Sequence, residues 1–391
     1  MFILILLLIC FSYGGELESL INYALENSPR IRAYRSMIGS IEYREGYSRS
    51  LPNPFFSLAL TNLPVSRPYP NKYEPMSGLS LGISQMYILP LKRERDALII
   101  RSERELLRAQ EEIISRELVR DIKLAYLDWL YSTKKKRLLE ETLKDIKGLE
   151  KLAEESYRFG RVSLSELFSL RAESLKIERE MESLRQEIRL REEEIGYMVG
   201  GRVRLVGEEP VIKEVEFEAL EVEKSPYVRV SFIQRERTER ELQRRMVEHL
   251  PDIELMVDYM IRPSMDNTFS LRVNLSFPLY RSVRERLMVL EKQEEKRARD
   301  WELEVVKLET KRSVWILSVE AERLKSFMAK TQKMLEEKEG ELKAMEIAYR
   351  FGKVGLGELL KLRRDLWELR RELLELELSL KKTMVRAEVF L

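Results

Sequence analysis

Apolar positions along this chain follow two periods by turns. From Glu16 to about Ser50, Leu17, Leu20, Ile21, Ala24 and Leu25 recur at helical spacing, and Asn27-Ser28-Pro29 interrupts the run before it resumes near Arg30. Leu51-Pro52-Asn53-Pro54 stops the helix and the period drops to two, with Phe56, Leu58 and Leu60 alternating with Ser57, Ala59 and Thr61. After a loop rich in Pro, Asn and Tyr (Leu63 to Pro75), Leu79, Leu81 and Ile83 share one face and Gly78, Ser80, Gly82 and Ser84 the other. Residues 53–87 therefore read as a β-hairpin. Helical spacing returns over 91–158, where Leu118, Ile122, Ala125 and Trp129 form a stripe that Leu138, Leu139, Thr142 and Ile146 continue. Such a helix is about 100 Å long at 1.5 Å per residue, the length of a coiled-coil-like element. A glycine break at 159–162 and a return helix over 163–199 complete the series, which ends at Gly200-Gly201.

The same series then recurs. Residues 202–224, irregular and rich in Val and Glu, read as a connector, and Ser225-Pro226 restarts the helical pattern as Ser28-Pro29 did. Leu250-Pro251 repeats Leu51-Pro52. A second hairpin over 252–277 sets Ile253, Leu255, Val257 and Tyr259 against Glu254, Met256 and Asp258. Its other strand sets Phe269, Leu271, Val273, Leu275 and Phe277 against Ser270, Arg272, Asn274 and Ser276. A long helix over 281–350, a break at 351–355 and a return helix over 356–391 close the copy. The chain thus divides into a first repeat, 16–201, and a second, 225–391. The breaks are themselves related: Tyr157-Arg158-Phe159-Gly160-Arg161-Val162 recurs as Tyr349-Arg350-Phe351-Gly352-Lys353-Val354, at an offset of 192 (349 minus 157). Both read as the tips of long helical hairpins, with Gly160 and Gly352 in helix-ending positions.

The strands pose a physical problem. Glu254, Asp258, Arg272 and Asn274 fall on one face, which must be wet, while the other is almost wholly Leu, Val, Ile, Phe and Tyr. The helices beside them are too charged to offer an obvious covering layer. Apolar-out, polar-in alternation over about ten residues is the signature of a transmembrane β-barrel. Four strands cannot close a barrel, and open edges are not tolerated in lipid, so closure would need two or three identical chains. A small soluble β-layer capping a helical bundle is the other reading of the same pattern.

Composition narrows the class. Charged residues make up 35% of the chain and prolines number only 13, as in long-helix proteins. Lys plus Arg (69) nearly cancels Asp plus Glu (67), which gives no electrostatic case for nucleic acid. Met1 to Phe11 is an apolar run ending in Ser12-Tyr13-Gly14-Gly15, so 1–15 reads as a signal peptide. No Lys or Arg precedes the run; a misassigned start codon or a buried first helix would also account for that. Cys10, the only cysteine, follows Ile9, whereas a lipoprotein signal wants a small residue there. His249 is the only histidine and has no cysteine near it, so no metal site is expected. No nucleophile elbow or phosphate loop occurs; neither an enzyme nor a cofactor is expected.

In its double unit, in the segment Leu20-Ile21-Asn22-Tyr23-Ala24-Leu25-Glu26-Asn27-Ser28-Pro29 and in the two Tyr-Arg-Phe-Gly tips, the chain resembles the TolC-like outer-membrane efflux proteins, from about Leu17 to Leu391. The resemblance implies a mainly α fold with a membrane β element, in which long α-helical hairpins form a trimeric α-barrel continuous with a shared twelve-stranded transmembrane β-barrel. It implies a homotrimer in the outer membrane that passes substrates outward from a periplasmic adaptor and an inner-membrane transporter. Adaptor docking would fall on Arg158, Phe159, Gly160, Arg161 and Val162 and on Arg350, Phe351, Gly352, Lys353 and Val354. Glu166 and Glu358 match acidic positions near the entrance, where a ring of carboxylates favours cations. Lys361 departs from the family, other members carrying a second acid one turn on, and Val354 stands where some carry an arginine.

Each residue also has a plainer role open to it. Glu166 and Glu358 could be helix-start charges favoured by the dipole. Asp258 and Arg272 could line a lumen or pair across strands. Tyr87, Tyr259 and Tyr280 could be interfacial aromatics or ordinary packing. A periplasmic coiled-coil adaptor or scaffold is the competing function. Adaptors usually carry one hairpin within split β-domains, whereas two hairpins and two strand pairs are legible here. A cytoplasmic coiled coil fits neither the apolar start nor the strands.

Overall fold

Proline and glycine punctuation sets the element boundaries. In the computed structural model, α1 (Glu16–Asn27) and α2 (Pro29–Ser48) meet at Ser28, and proline opens α2 at the position where its missing N–H is least missed. Strands β1 (Phe55–Thr61) and β2 (Gly78–Tyr87) follow, then α3 (Pro90–Arg158) and α4 (Leu164–Val199). Two short 3-10 turns lie in the connector, at Phe217–Ala219 and Val222–Lys224. The second series is α5 (Pro226–Met246), β3 (Ile253–Ile261), β4 (Thr268–Leu275), α6 (Arg284–Arg350) and α7 (Leu356–Ala387), and a last 3-10 turn covers Glu388–Phe390. The 69 residues of α3 and the 67 of α6 make each about 100 Å long.

The structure describes residues 15–66, 68–159, 162–276, 279–280 and 283–391. The apolar leader through Gly14 with its Cys10, the tip residues Gly160 and Arg161, Phe277, Arg281 and the side chain of Arg350 lie outside the described residues.

Two compact units cut across the sequence repeats, each drawing segments from both. One takes the chain up to Arg32 with Glu112–Pro226 and Glu309–Leu391; the other takes Ala33–Glu111 and Tyr227–Leu308. In the first, Leu17, Leu20 and Ala24 of α1 pack on Ile122, Tyr126 and Trp129 of α3, on Ile195 and Val199 of α4, and on Val385 of α7. A further core joins Ile146 and Leu149 of α3 to Leu167, Leu170 and Ile177 of α4 and to Leu356 and Leu360 of α7. These are apolar stripes of charged helices meeting, which is why so charge-rich a chain still has an apolar interior.

The second unit carries the sheet. All four strands form one antiparallel sheet in the order β1-β2-β3-β4, so the two hairpins are joined by a β2–β3 ladder. The register sets Leu58 opposite Leu81, Leu81 opposite Tyr259, and Tyr259 opposite Phe269, which makes one face continuous and apolar. Helices of the same unit are stitched side by side by ion pairs. Arg35–Glu111 (2.9 Å) and Arg104–Glu45 (2.8 Å) join α2 to α3, Arg244–Asp96 (2.7 Å) joins α5 to α3, and Arg235–Asp300 (2.8 Å) joins α5 to α6.

Candidate functional site

The sheet separates chemistry by face. Phe56, Leu58, Phe269 and Leu271 on the apolar face are each about two-thirds exposed, and no layer of the described residues covers them. Taking one such side chain out of water is worth about 1.5–3 kcal/mol, so a face of this kind calls for an apolar surrounding. The opposite face gathers Ser57, Gly82, Asp258 and Ser270 in one row across the strands. Gly82 is needed there: the Asp258 carboxylate and the Ser57 hydroxyl both occupy the space a Cβ would take. Glu254 accepts a hydrogen bond from Asn274 Nδ2 at 3.0 Å, so two of the expected lumen residues pair across β3 and β4. Arg272 is exposed and places Nη1 3.6 Å from Met256 Sδ. Met86, Met256 and Met260 share this face. Among the described residues two edges stay open, one on β1 and one on β4.

At the first tip, Phe159 is exposed and Val162 is buried against the α3–α4 core. Helix α4 then starts with a full capping box. Ser163 Oγ accepts from Glu166 N at 3.2 Å, and Ser163 N donates to Glu166 Oε2 at 2.9 Å. Ser163 Oγ also donates to that same oxygen, at 2.9 Å.

The second tip closes differently. Gly352 has φ +69, the left-handed conformation that ends helices, and the Lys353 N–H reaches back to Ala348 O at 3.0 Å. Phe351 and Lys353 are exposed and Val354 is half-buried. Gly355 is the N-cap of α7 and offers no side-chain cap. Glu358 and Lys361 are exposed, and neither has a side-chain partner among the described residues.

The tips are neighbours. A Cβ on Gly357 would lie 3.8 Å from Glu166 Oε1, which brings the starts of α4 and α7 together. From there the two helices run parallel in heptad steps. Glu173 pairs with Arg364 at 3.2 Å, and Glu180 with Arg371 at 3.6 Å. Within the first hairpin, Arg171 donates hydrogen bonds to Glu154 and Glu150, which push its guanidinium up.

The connector is fastened by a buried carboxylate that sequence reading passes over. Glu16 accepts backbone N–H bonds from Val206 (2.5 Å), Gly207 (3.0 Å) and Glu208 (3.3 Å) and a hydroxyl bond from Tyr126 (2.6 Å). Burial first, then the hydrogen bond to Glu16, pushes the Tyr126 phenol well above its usual value. Nearby, burial pushes the Glu209 carboxyl up, but hydrogen bonds and charge from Lys134 and Lys381 outweigh that and hold it below the usual range. A depressed carboxylate adds stability that is present at neutral pH and lost as pH falls through its folded pKa, so acid below about 4.5 loosens this anchor. No spacing signal marks Glu16, because its partners lie in a segment without periodicity. Among the described residues no group of His, Cys, Asp or Glu is placed to hold a metal, and no helix is long and apolar enough to cross a membrane.

No protein-family profile matches the sequence, and no curated protein matches it. Solved structures do match the fold. The chain is similar to CusC, whose structures concern folding and transmembrane channel formation, with TM-score 0.81 and 13% identity over 97% of this chain and 94% of that one. It is similar to the outer membrane protein VceC of Vibrio cholerae, with TM-score 0.77 and 16% identity over 95% of each chain. The open-state MtrE outer membrane channel of Neisseria gonorrhoeae gives TM-score 0.77 and 12% identity over 95% of this chain and 88% of that one. The fold is therefore that of these structures.

Proposed function

We propose that the chain is one third of a homotrimeric outer-membrane exit duct of a tripartite efflux or type I secretion system. One observation carries the reading: a four-stranded antiparallel sheet with an exposed apolar face, a polar opposite face and two unpaired edges. A bare edge is untenable in lipid, and three copies joined edge to edge would close a twelve-stranded barrel with Glu254, Asp258, Arg272 and Asn274 toward the lumen. The fold shared with CusC, VceC and MtrE supports this, and the helices would form the duct on the periplasmic side. Conduction is passive; the chain needs no catalytic group or cofactor for it.

In this reading the tips are the docking end. Exposed Arg158, Phe159, Phe351 and Lys353, with Gly160, Arg161, Val162, Arg350, Gly352 and Val354 beside them in sequence, would meet a periplasmic adaptor coupled to an inner-membrane transporter. The entrance would be lined by Glu166, Glu358 and Lys361. Glu358 is the freer acid, since Glu166 is engaged by Ser163. The test is fractionation of the expressed full chain. Recovery with outer membranes as an oligomer that dissociates only on heating is expected; a soluble monomer would refute the duct and return the adaptor or scaffold reading.

A further inference from the structure

Continuing the offset of 192 from the tips to the start of the long helices pairs Lys92 with Arg284 (284 minus 92). The two cations have opposite fates. Lys92 is 2% exposed, and its Nζ sits 2.8 Å from Asp252 Oδ1. Its neighbour Arg93 is spent on the backbone oxygens of Ile88 and Arg49. At the second junction Arg284 and Arg286 are exposed, and neither guanidinium has a partner among the described residues.

Around them the surface is apolar. Leu279 is 85% exposed and Tyr280 74%, and Val283, Leu287 and Leu290 follow with exposure falling along the helix away from the sheet. Helical hydrogen bonding begins at Tyr280, whose carbonyl accepts from Val283 N and Arg284 N, both at 2.9 Å. At about 100° per residue, Val283, Leu287 and Leu290 lie within an arc of about 60°. Arg286 and Arg284 flank that arc on its two sides, and Glu285 lies nearly opposite, its Oε2 buried.

We propose that the start of α6, where Arg284 and Arg286 flank exposed Val283, Leu287 and Leu290, docks the headgroups of anionic phospholipids in the periplasm-facing leaflet. The inference rests on the membrane reading above and extends it to a lipid class. An apolar stripe with tyrosine at its head and arginines on both flanks fits the boundary where acyl chains meet phosphate. Guanidinium matches phosphate in shape and charge, and these two pair with no carboxylate among the described residues. The first junction cannot serve, because its cations are already held by the protein.

The test is reconstitution of the full chain into bilayers of equal parts phosphatidylcholine and phosphatidylglycerol, followed by counting retained lipids by native mass spectrometry. The wild-type protein should retain phosphatidylglycerol preferentially, and each of Arg284→Gln and Arg286→Gln should lower that preference about fivefold. Arg185→Gln, an exposed arginine elsewhere, should leave it unchanged. An inserted protein without preference, or an inserted double variant that keeps it, overturns the proposal. So does a photo-crosslinker at position 283 that captures a second copy of the chain instead of lipid. Failure to enter bilayers at all would count against the duct itself.

Discussion

The two hairpin tips share a motif and differ in how they are held. At the first, Ser163 and Glu166 cap each other and Val162 is buried beside them. At the second, the position of Ser163 is taken by Gly355, which has no side chain to cap with, and Val354 is only half-buried. One serine-to-glycine difference thus turns a reciprocal lock into an open helix start. It also changes the acid that follows: Glu166 is engaged, whereas Glu358 has no side-chain partner among the described residues. Equal motifs do not make equal tips, and the second is the one with a carboxylate to offer and less to hold it still.

That contrast can be broken at its strongest point first. Gly352→Pro cannot adopt φ +69 and removes the N–H that bonds Tyr349 O, so it should cost about 3 kcal/mol or more locally. Cross-linking of the second tip to an adaptor should be lost while the oligomer band survives; unchanged cross-linking would remove this tip from docking. Ser163→Ala should make the first tip resemble the second by deleting the cap, at about 1 kcal/mol. Hydrogen exchange at Leu164 to Leu167 should quicken several-fold, and protection equal to wild type would show that packing, not the cap, holds the turn.

Smaller effects sharpen it from the other side. Gly355→Ser should install a capping box with Glu358 and slow exchange at the start of α7, a gain of only a few tenths of a kcal/mol over glycine. If the engaged carboxylate matters, the same variant should also reduce cation preference in bilayer recordings. Glu358→Gln should reduce that preference without changing thermal stability, since the side chain is exposed and has no partner among the described residues. Conductance and selectivity identical to wild type would exclude Glu358 from the entrance.

Much of this architecture is legible in the chain because its causes are local. Leu79, Leu81 and Ile83 declare their face by alternation, and the heptad-spaced apolar residues of α3 and α4 declare theirs by helical period. The capping box is local too: Ser163 and Glu166 stand at its spacing, and pairing Glu166 with Glu358 as equivalent acids overlooks it. The nest that binds Glu16 is not local, since its donors come from Val206, Gly207 and Glu208. Nor is the asymmetry of the two cations at the junctions, because Lys92 is hidden by Asp252, from the other repeat.

By itself the sequence determined the order of elements, the faces of every strand and the glycine that ends the second long helix. Periodicity and backbone stereochemistry act over a few residues, so they can be read without the fold. Only the tertiary structure decided that β2 pairs with β3, that α4 and α7 run side by side in heptad steps, and which acids and arginines remain free. Those outcomes depend on groups far apart in the chain competing for the same partners, and only the assembled geometry determines which of them meet.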